Sequence, residues 1–207
     1  MSHPWHVLRI ILVTLSLATS FVPSAARADL FPKEFRPGPN VPAGFTPAAG
    51  VDASGLDLAG SAFVGMDLGK ANFGGCNLQR ALFVQVRFPG SASFRGADLR
   101  NAMFIETPAG PPEEWLDEGA FSDALINGLQ FGLHFNSQHA HLSIEQLRST
   151  RSFRLRDLSG CQIVGGVSKT RIYSYFDLEP RPVAVDFRQF DLRNATFVAG
   201  DFTKSDF

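Results

Sequence analysis

The chain has 207 residues and contains 20 Phe against only 2 Tyr and 2 Trp, a bias that favours a dry interior. Apolar residues make up 44% of the sequence and charged residues 19%, with 19 Gly and 13 Pro. This composition excludes collagen, a charge-rich disordered chain and a long coiled coil. The formal charge of −1 gives no whole-chain attraction to nucleic acid or to anionic lipid.

Residues 1–28 have the pattern of a secretory signal peptide. Arg9 precedes the apolar run Ile10–Ala18, and Ala26-Arg27-Ala28 supplies a small-x-small cleavage site before Asp29. The run is too short to span a bilayer comfortably, and no cysteine near the cleavage point could accept a lipid. We therefore expect an exported protein in the periplasm, on the cell surface or outside the cell.

Residues 29–50 form a segment rich in Pro, Ala and Gly. The prolines are Pro32, Pro37, Pro39, Pro42 and Pro47. They exclude a regular helix or a central strand, so we expect a linker or an extended cap.

Large apolar residues then recur at every fifth position. They are Leu58, Phe63, Leu68, Phe73, Leu78, Phe83 and Phe88, followed after one extra residue by Phe94, Leu99 and Phe104. Two positions before each lies a mostly small or apolar residue: Leu56, Ser61, Met66, Ala71, Cys76, Ala81, Val86, Ala92, Ala97 and Ala102. Neither the helical period of 3.6 nor the strand period of 2 produces a strict five.

A five-residue period predicts a solenoid in which each unit forms one short side of a coil. The two apolar columns would point inward, and Asp, Asn and Gly would suit the outer positions and corners. Because one unit cannot bury its own apolar residues, stability must come from stacking successive coils about 4.8 Å apart.

These units resemble the pentapeptide-repeat family, which reads Ala-Asp/Asn-Leu/Phe-x-x. The match is clear in Ala71-Asn72-Phe73-Gly74-Gly75 and in Ala97-Asp98-Leu99-Arg100-Asn101. The resemblance implies an all-β fold, a right-handed quadrilateral β-helix with one unit on each side. We expect this solenoid to occupy residues 51–207, with short helical or loop inserts near 107–119, 132–150 and 164–184.

The predicted inserts interrupt the array without ending it. The first carries three prolines before an acidic stretch and predicts a short surface helix near residues 113–118. Phe121, Ile126 and Phe131 resume the repeat, with Gly119, Ala124 and Leu129 in the second column. The spacing of Ser143 and Gln146 is that of a capping box and predicts a helix of one or two turns from Ser143.

The repeat phase returns with Phe153, Leu158 and Ile163, and five further units are centred on Phe187, Leu192, Phe197, Phe202 and Phe207. The stretch from Leu142 to Phe153, with Asp157-Leu158-Ser159-Gly160, resembles an insert of some exported bacterial members of the family. The repeat is still running at Phe207. A fragment of a longer protein, end-to-end stacking of two chains in a homodimer, and fraying of the last units are the three interpretations of that ending.

The sequence contains no pattern that identifies a catalytic, cofactor or metal site. His134, His139 and His141 cluster, but their spacing fits none of the usual zinc patterns. Cys76 and Cys161 both fall in an inward column, and we expect two buried thiols rather than a disulfide.

The repeated carboxylates and the basic stretch have simple structural explanations. Eight Asp residues share one repeat position, which turn preference explains: Asp57, Asp67, Asp98, Asp157, Asp186, Asp191, Asp201 and Asp206. Arg148, Arg151, Arg154 and Arg156 would either meet an anionic polymer or pair with acidic residues of the first insert, Glu113, Glu114, Asp117 and Glu118. Asn194-Ala195-Thr196 matches a glycosylation acceptor, for which we expect no occupancy in a bacterial protein.

We therefore expect a non-catalytic exported scaffold that binds an unknown protein or an envelope polymer, with no cofactor, no nucleic-acid partner and no stable membrane span. The alternative is a carbohydrate-binding or carbohydrate-active β-helix at the cell envelope. Mimicry of DNA, which the family resemblance brings to mind through members that bind topoisomerases, is disfavoured by the signal peptide and by a mature charge of only about −3.

Overall fold

The computed structural model describes residues 33–105, 116–131, 142, 144–164, 185–198 and 202–207. Within these ranges the strands are β1 (Glu34–Arg36), β2 (Ala62–Val64), β3 (Leu82–Val84), β4 (Met103–Ile105), β5 (Gln130–Phe131), β6 (Gln162–Val164) and β7 (Thr196–Val198). The helices are α1 (Ile144–Ser149) and α2 (Arg151–Arg154). No described helix is long and apolar enough to cross a membrane.

Strands β2 to β5 stack in parallel with the register that the repeat predicts. Phe63 in β2 lies opposite Phe83 in β3, which lies opposite Phe104 in β4 and, through it, Phe131 in β5. Because Phe63 and Phe83 are twenty positions apart, each coil there contains four five-residue units. β6 and β7 repeat the arrangement, with Ile163 opposite Phe197. The described chain is thus a β-helix-like solenoid with few helices.

The corners follow one local rule. The residue two positions after the central apolar residue is left-handed, as in Gly60 at φ 70° and Arg80 at φ 58°. On the sides that lack strands, the amide three positions after the central residue bonds back across the turn, as in Ser61 N to Leu58 O at 3.1 Å. Gly adopts this left-handed conformation readily because it has no Cβ, whereas any other residue at this position adopts it at an energetic cost.

The same turns explain why Asp and Asn recur directly before the central apolar residue. An oxygen of Asp57 accepts the amide hydrogen of Ala59 at 3.1 Å, and Asn72 does the same for Gly74 at 3.0 Å. Amide side chains also bridge to the neighbouring coil, as from Asn77 Nδ2 to Asp57 Oδ1 at 2.9 Å. The interpretation of these residues as turn formers fits these contacts.

The interior is a stack of phenyl rings. Phe83 is fully buried and lies parallel to Phe63 at 4.8 Å and to Phe104 at 4.6 Å, with interplanar angles of 6° in both pairs. A second column stacks Phe73, Phe94 and Phe121 at 5.2 and 5.4 Å. Rings of the two columns meet edge to face, so the core contains only hydrocarbon at this level.

The first unit of the predicted range 51–207 has a central residue, Ala53, that the predicted column did not include. Ala53 is fully buried at a central position, and Asp52 pairs with Asn72 in the next coil. Residues before it lie over this first coil. β1 pairs antiparallel with β2, and the Phe35 ring lies 5.1 Å from that of Phe63.

The strand-bearing side also differs from the expected polar exterior. Since side chains alternate along a strand and Phe83 points inward, Leu82 and Val84 point outward. Val84 and Ile105 are nevertheless buried, and they lie outside the interior cluster. This side therefore carries apolar residues on both faces.

The helices replace repeat units on two sides of one coil. Leu116 and Leu147 are both buried at positions where central repeat residues would fall. The side-chain amide of Gln146, in α1, donates a hydrogen bond to the carbonyl oxygen of Leu116 at 2.9 Å. The short helix predicted to begin at Ser143 is present as α1, Ile144–Ser149, and Ser143 itself lies outside the described residues.

Two sequence expectations fail here. Phe153 is not a central strand residue, because it lies in α2 and is only partly buried, while Ser152 takes the interior place. Gly119 is exposed and its neighbour Ala120 is buried instead. Residues 116–119 of the first predicted insert show no helix, and the remainder of its acidic stretch, residues 113–115, lies outside the described residues.

Candidate functional site

A polar groove crosses four successive coils at one corner of the solenoid. Its floor is the column of left-handed residues Asn101, Gly128, Gly160 and Asn194, with φ between 59° and 70°. Asn127, Ser159 and Arg193 complete its lining, and the groove has a volume of about 380 Å³. The lining contains no apolar side chain.

The coil hydrogen bonds bring these residues together. Asn101 N donates to Asn127 O at 2.8 Å, Gly128 N to Ser159 O at 2.9 Å, and Gly160 N to Arg193 O at 2.9 Å. The two glycines leave a notch between the asparagines. A Cβ on Gly128 would approach Asn101 Oδ1 to 2.3 Å, so the Asn101 amide lies directly against the floor.

Part of the lining is fixed by the fold. Asn127 Nδ2 donates to Asp157 O at 3.0 Å, and Asn127 Oδ1 accepts from Ser152 Oγ at 3.0 Å. The Ser159 hydroxyl donates to Asp157 Oδ1 at 2.7 Å. By contrast, the side-chain amides of Asn101 and Asn194 make no hydrogen bond within the described residues.

The positive charge of Arg193, in the lining of the groove, is balanced by the carboxylate of Asp191. Arg193 Nε donates to Asp191 Oδ1 at 2.9 Å and Nη2 donates to Asp191 Oδ2 at 2.6 Å, although the Arg193 side chain is 83% exposed. The guanidinium, together with the backbone amide of Arg193, lowers the pKa of Asp191 to about 2. Asp186 is paired with Arg188 in the same way, and its pKa is also lowered to about 2.

Residues 49–85 and 67–107 match the family model for pentapeptide repeats, with 8 copies. Residues 49–107 are therefore pentapeptide repeats of this family. Members of this family are generally non-enzymatic repeat scaffolds. Neither the curated proteins nor the solved structures contain a match to this chain. The repeats continue beyond the matched region through Phe121, Ile126 and Phe131, which are all buried.

The thiols of this pentapeptide-repeat protein are unsuited to nucleophilic chemistry. Cys76 and Cys161 are buried and unbonded, and their sulfurs contact the carbonyls of Ala53 at 2.9 Å and Ile126 at 3.1 Å. Burial raises the pKa of Cys76 to about 11 and that of Cys161 to about 12. The reactive thiolate is therefore scarce at neutral pH.

The histidine cluster that sequence inspection singled out, His134, His139 and His141, lies outside the described residues. Among the residues that are described, no group of three or more His, Cys, Asp or Glu side chains is arranged to hold a metal ion.

Two arginines of the basic stretch, Arg154 and Arg156, pair with residues of neighbouring coils. Arg154 forms an ion pair with Asp123 and donates to Ser149 O at 2.9 Å, and Arg156 donates to Gln189. Two of its expected partners, Glu113 and Glu114, lie outside the described residues. Asn194, the first residue of the glycosylation motif, lies in the groove.

Sequence inspection did not find the groove. Its residues come from corners that look like ordinary turns, and the inserts make their separations in the chain irregular. The available signal was the pair of glycines at corner positions, Gly128 and Gly160, flanked in the coil register by Asn101 and Asn194.

Proposed function

We propose that this pentapeptide-repeat protein is a non-catalytic exported scaffold that binds a protein or an envelope polymer through its outer surface. The observation that supports this role most strongly is the commitment of its reactive side chains to the frame. Carboxylates such as Asp57 and Asp186 close turns or pair with arginine, and both thiols are buried. These side chains therefore serve the fold rather than catalysis.

Export is proposed from residues 1–28, whose charged start, apolar run and small-residue cleavage site are those of a bacterial signal peptide. The mature protein would begin at Asp29 and act in the periplasm, on the cell surface or outside the cell.

A right-handed, four-sided coil is the shape we propose for the scaffold. Four five-residue units for each coil support four sides, and crossovers between parallel strands of one sheet are right-handed in about 98% of cases. A crystal structure with a left-handed coil would contradict this part of the proposal.

The role is tested by following the full chain in a bacterial host by fractionation and by determining the N-terminus of the exported form. We expect Asp29 as the first residue. Leu15→Arg should retain the unprocessed chain in the cytoplasm, while the matched control Leu15→Ile should be exported normally. Cytoplasmic wild-type protein would contradict the exported role.

Absence of catalysis is tested separately with purified exported protein and a panel of envelope glycans. We expect no cleavage products after prolonged incubation. Turnover that survives repurification of the protein would replace the scaffold role with that of an enzyme.

A second candidate, carbohydrate binding without turnover, is favoured by one specific observation. The groove displays the side-chain amides of Asn101 and Asn194, which make no hydrogen bond to any described residue, between residues that hydrogen bonds hold in place.

A further inference from the structure

We infer that the groove of Asn101, Gly128, Gly160 and Asn194 is a binding site for a neutral oligosaccharide. The inference rests on the proposed scaffold role, since it supplies that scaffold with a ligand. The site occupies one corner of the solenoid, and binding there requires no movement of the backbone coils.

The dimensions suit a short chain of sugar units. Asn101 and Asn194 lie three coil steps apart, and at about 4.8 Å for each step the groove is roughly 14 Å long. Its volume of about 380 Å³ lies within the ordinary range for small-ligand sites. The Asn101 amide covers Gly128, so a ligand would approach the backbone at Gly160, the other central glycine.

The free hydrogen-bonding groups match vicinal hydroxyls. An asparagine amide has two donor hydrogens and an acceptor oxygen, whereas a sugar hydroxyl both donates and accepts. Asn101 and Asn194 would contact hydroxyls at the two ends of the groove. Arg193 extends beside Asn194 and keeps its Nη1 free of protein contacts among the described residues, while Nε and Nη2 hold Asp191.

The same lining disfavours other ligands. A peptide would require apolar pockets or an open strand edge, and neither is present in the lining. A nucleic acid would require net positive charge, but Asp191 balances the Arg193 charge. A metal ion would lack ligands, since the nearby carboxylate of Asp157 is already bonded to Ser159.

The site is rigid because the hydrogen bonds that hold its lining residues are already present without a ligand. Asn127 is held by Asp157 and Ser152, and the floor amides of Asn101, Gly128 and Gly160 are each bonded to the next coil. Ordering these residues on binding therefore requires little entropy. The groove is open and its free groups are few, so we expect a dissociation constant of roughly 1 mM.

The test is a titration of isotope-labelled, exported protein, followed by NMR. The probes are the neutral tetrasaccharides cellotetraose, maltotetraose and N-acetylated chitotetraose, with tetragalacturonate as the anionic comparison and glucose as the single-unit comparison. We expect at least one neutral tetrasaccharide to shift the side-chain amide signals of Asn101 and Asn194 and the backbone signals of Gly128 and Gly160. The shifts should saturate, and glucose should bind at least tenfold more weakly.

The variant Asn101→Gly/Asn194→Gly removes both amides at positions where a left-handed backbone suits glycine. It should weaken binding at least tenfold while leaving the remaining spectrum unchanged. Lys70→Gly is the matched control, because Lys70 is also left-handed, at φ 60°, and lies outside the groove. It should bind as the wild type does.

Three results would overturn the inference. They are no saturable shift with any neutral probe, shifts that centre away from the groove, and preference for tetragalacturonate. None of them affects processing at Asp29 or the absence of turnover, so failure of the site is distinguishable from failure of the scaffold role.

Discussion

Phe83 provides the sharpest test of the stacked interior. It is fully buried, and its ring lies parallel to the rings of Phe63 and Phe104 at 4.8 and 4.6 Å. Phe83→Leu keeps an apolar side chain of similar size and removes both stacked pairs. At about 0.5–1.5 kcal/mol for each aromatic pair, the two stacked pairs alone contribute about 1–3 kcal/mol to the unfolding free energy. The edge-to-face contacts of Phe83 with Phe73 and Phe94 are lost as well, so this sum is a lower bound for the loss.

The matched control is Phe207→Leu, because Phe207 stacks on only one ring, that of Phe187, and is 65% exposed. Its effect should stay below about 1 kcal/mol. Urea unfolding monitored by circular dichroism measures both variants, with the comparison restricted to curves of equal slope.

A double-mutant cycle separates stacking from general packing. Phe83→Leu combined with Phe104→Leu should show a coupling of about 0.5–1.5 kcal/mol. Phe83→Leu combined with Phe131→Leu should be additive within about 0.5 kcal/mol, because Phe131 stacks on Phe104 rather than on Phe83. Equal effects of Phe83→Leu and Phe207→Leu, or no coupling with Phe104, would refute the stacked column.

Three further predictions concern buried and charged groups. Cys76 and Cys161, whose raised pKa values disfavour the thiolate, should resist a thiol reagent at pH 8 in the folded protein and give two thiols in denaturant; zero in denaturant would mean a disulfide. The pKa of Asp186 is lowered to about 2 in the folded protein, against about 3.9 in the unfolded chain. The ionised Asp186 therefore stabilises the folded state fully above about pH 4, and this contribution is lost as the pH falls towards 2. Asp186→Asn should make the acid loss of stability shallower, and an unchanged pH profile would contradict the Arg pairing. Ser152→Ala should lower the free energy of unfolding in urea by about 1–3 kcal/mol, because it leaves the buried backbone amide of Ile126, in the preceding coil, without its acceptor. The less buried Ser122→Ala should change it little.

The repeating part of the fold was predictable from the sequence because its period is strict. From Leu58 to Phe104 every predicted central residue is buried, including the step across the extra residue before Phe94. That extra residue is accommodated by two consecutive left-handed residues, Gly90 and Ser91. A corner can therefore absorb an insertion without disturbing the inward columns.

The departures arise where a neighbouring element overrides the period. Ala53 was missed because a small central residue resembles the second column, yet its backbone pairs like the others. Phe153 falls at the position that the five-residue period predicts, but its backbone is helical rather than extended. The reason is that the Thr150 hydroxyl oxygen accepts a hydrogen bond from the Phe153 amide at 3.1 Å and so starts α2. Ser152 then supplies the interior hydrogen bonds that a strand would have made.

The candidate site was beyond sequence reasoning for a different reason. Asn101 and Asn194 become neighbours of the same groove only through the coil register, and two inserts of unequal length separate them in the chain. Local turn chemistry explains each residue alone, so nothing in a single repeat marks the groove. Its detection requires the stacking order of the coils.

Amide hydrogen exchange measured by NMR on the folded protein tests the central claim most directly. In many repeats without strands, the amide after the central residue bonds to an Asp or Asn side chain of its own turn, as at Ala59 and Gln79, whereas amides such as Leu58 and Leu78 bond to the next coil. We predict slow exchange that recurs with a period of five and is interrupted at those positions. Continuous protection over helix-length blocks, or protection alternating with a period of two, would contradict a coil built from five-residue units.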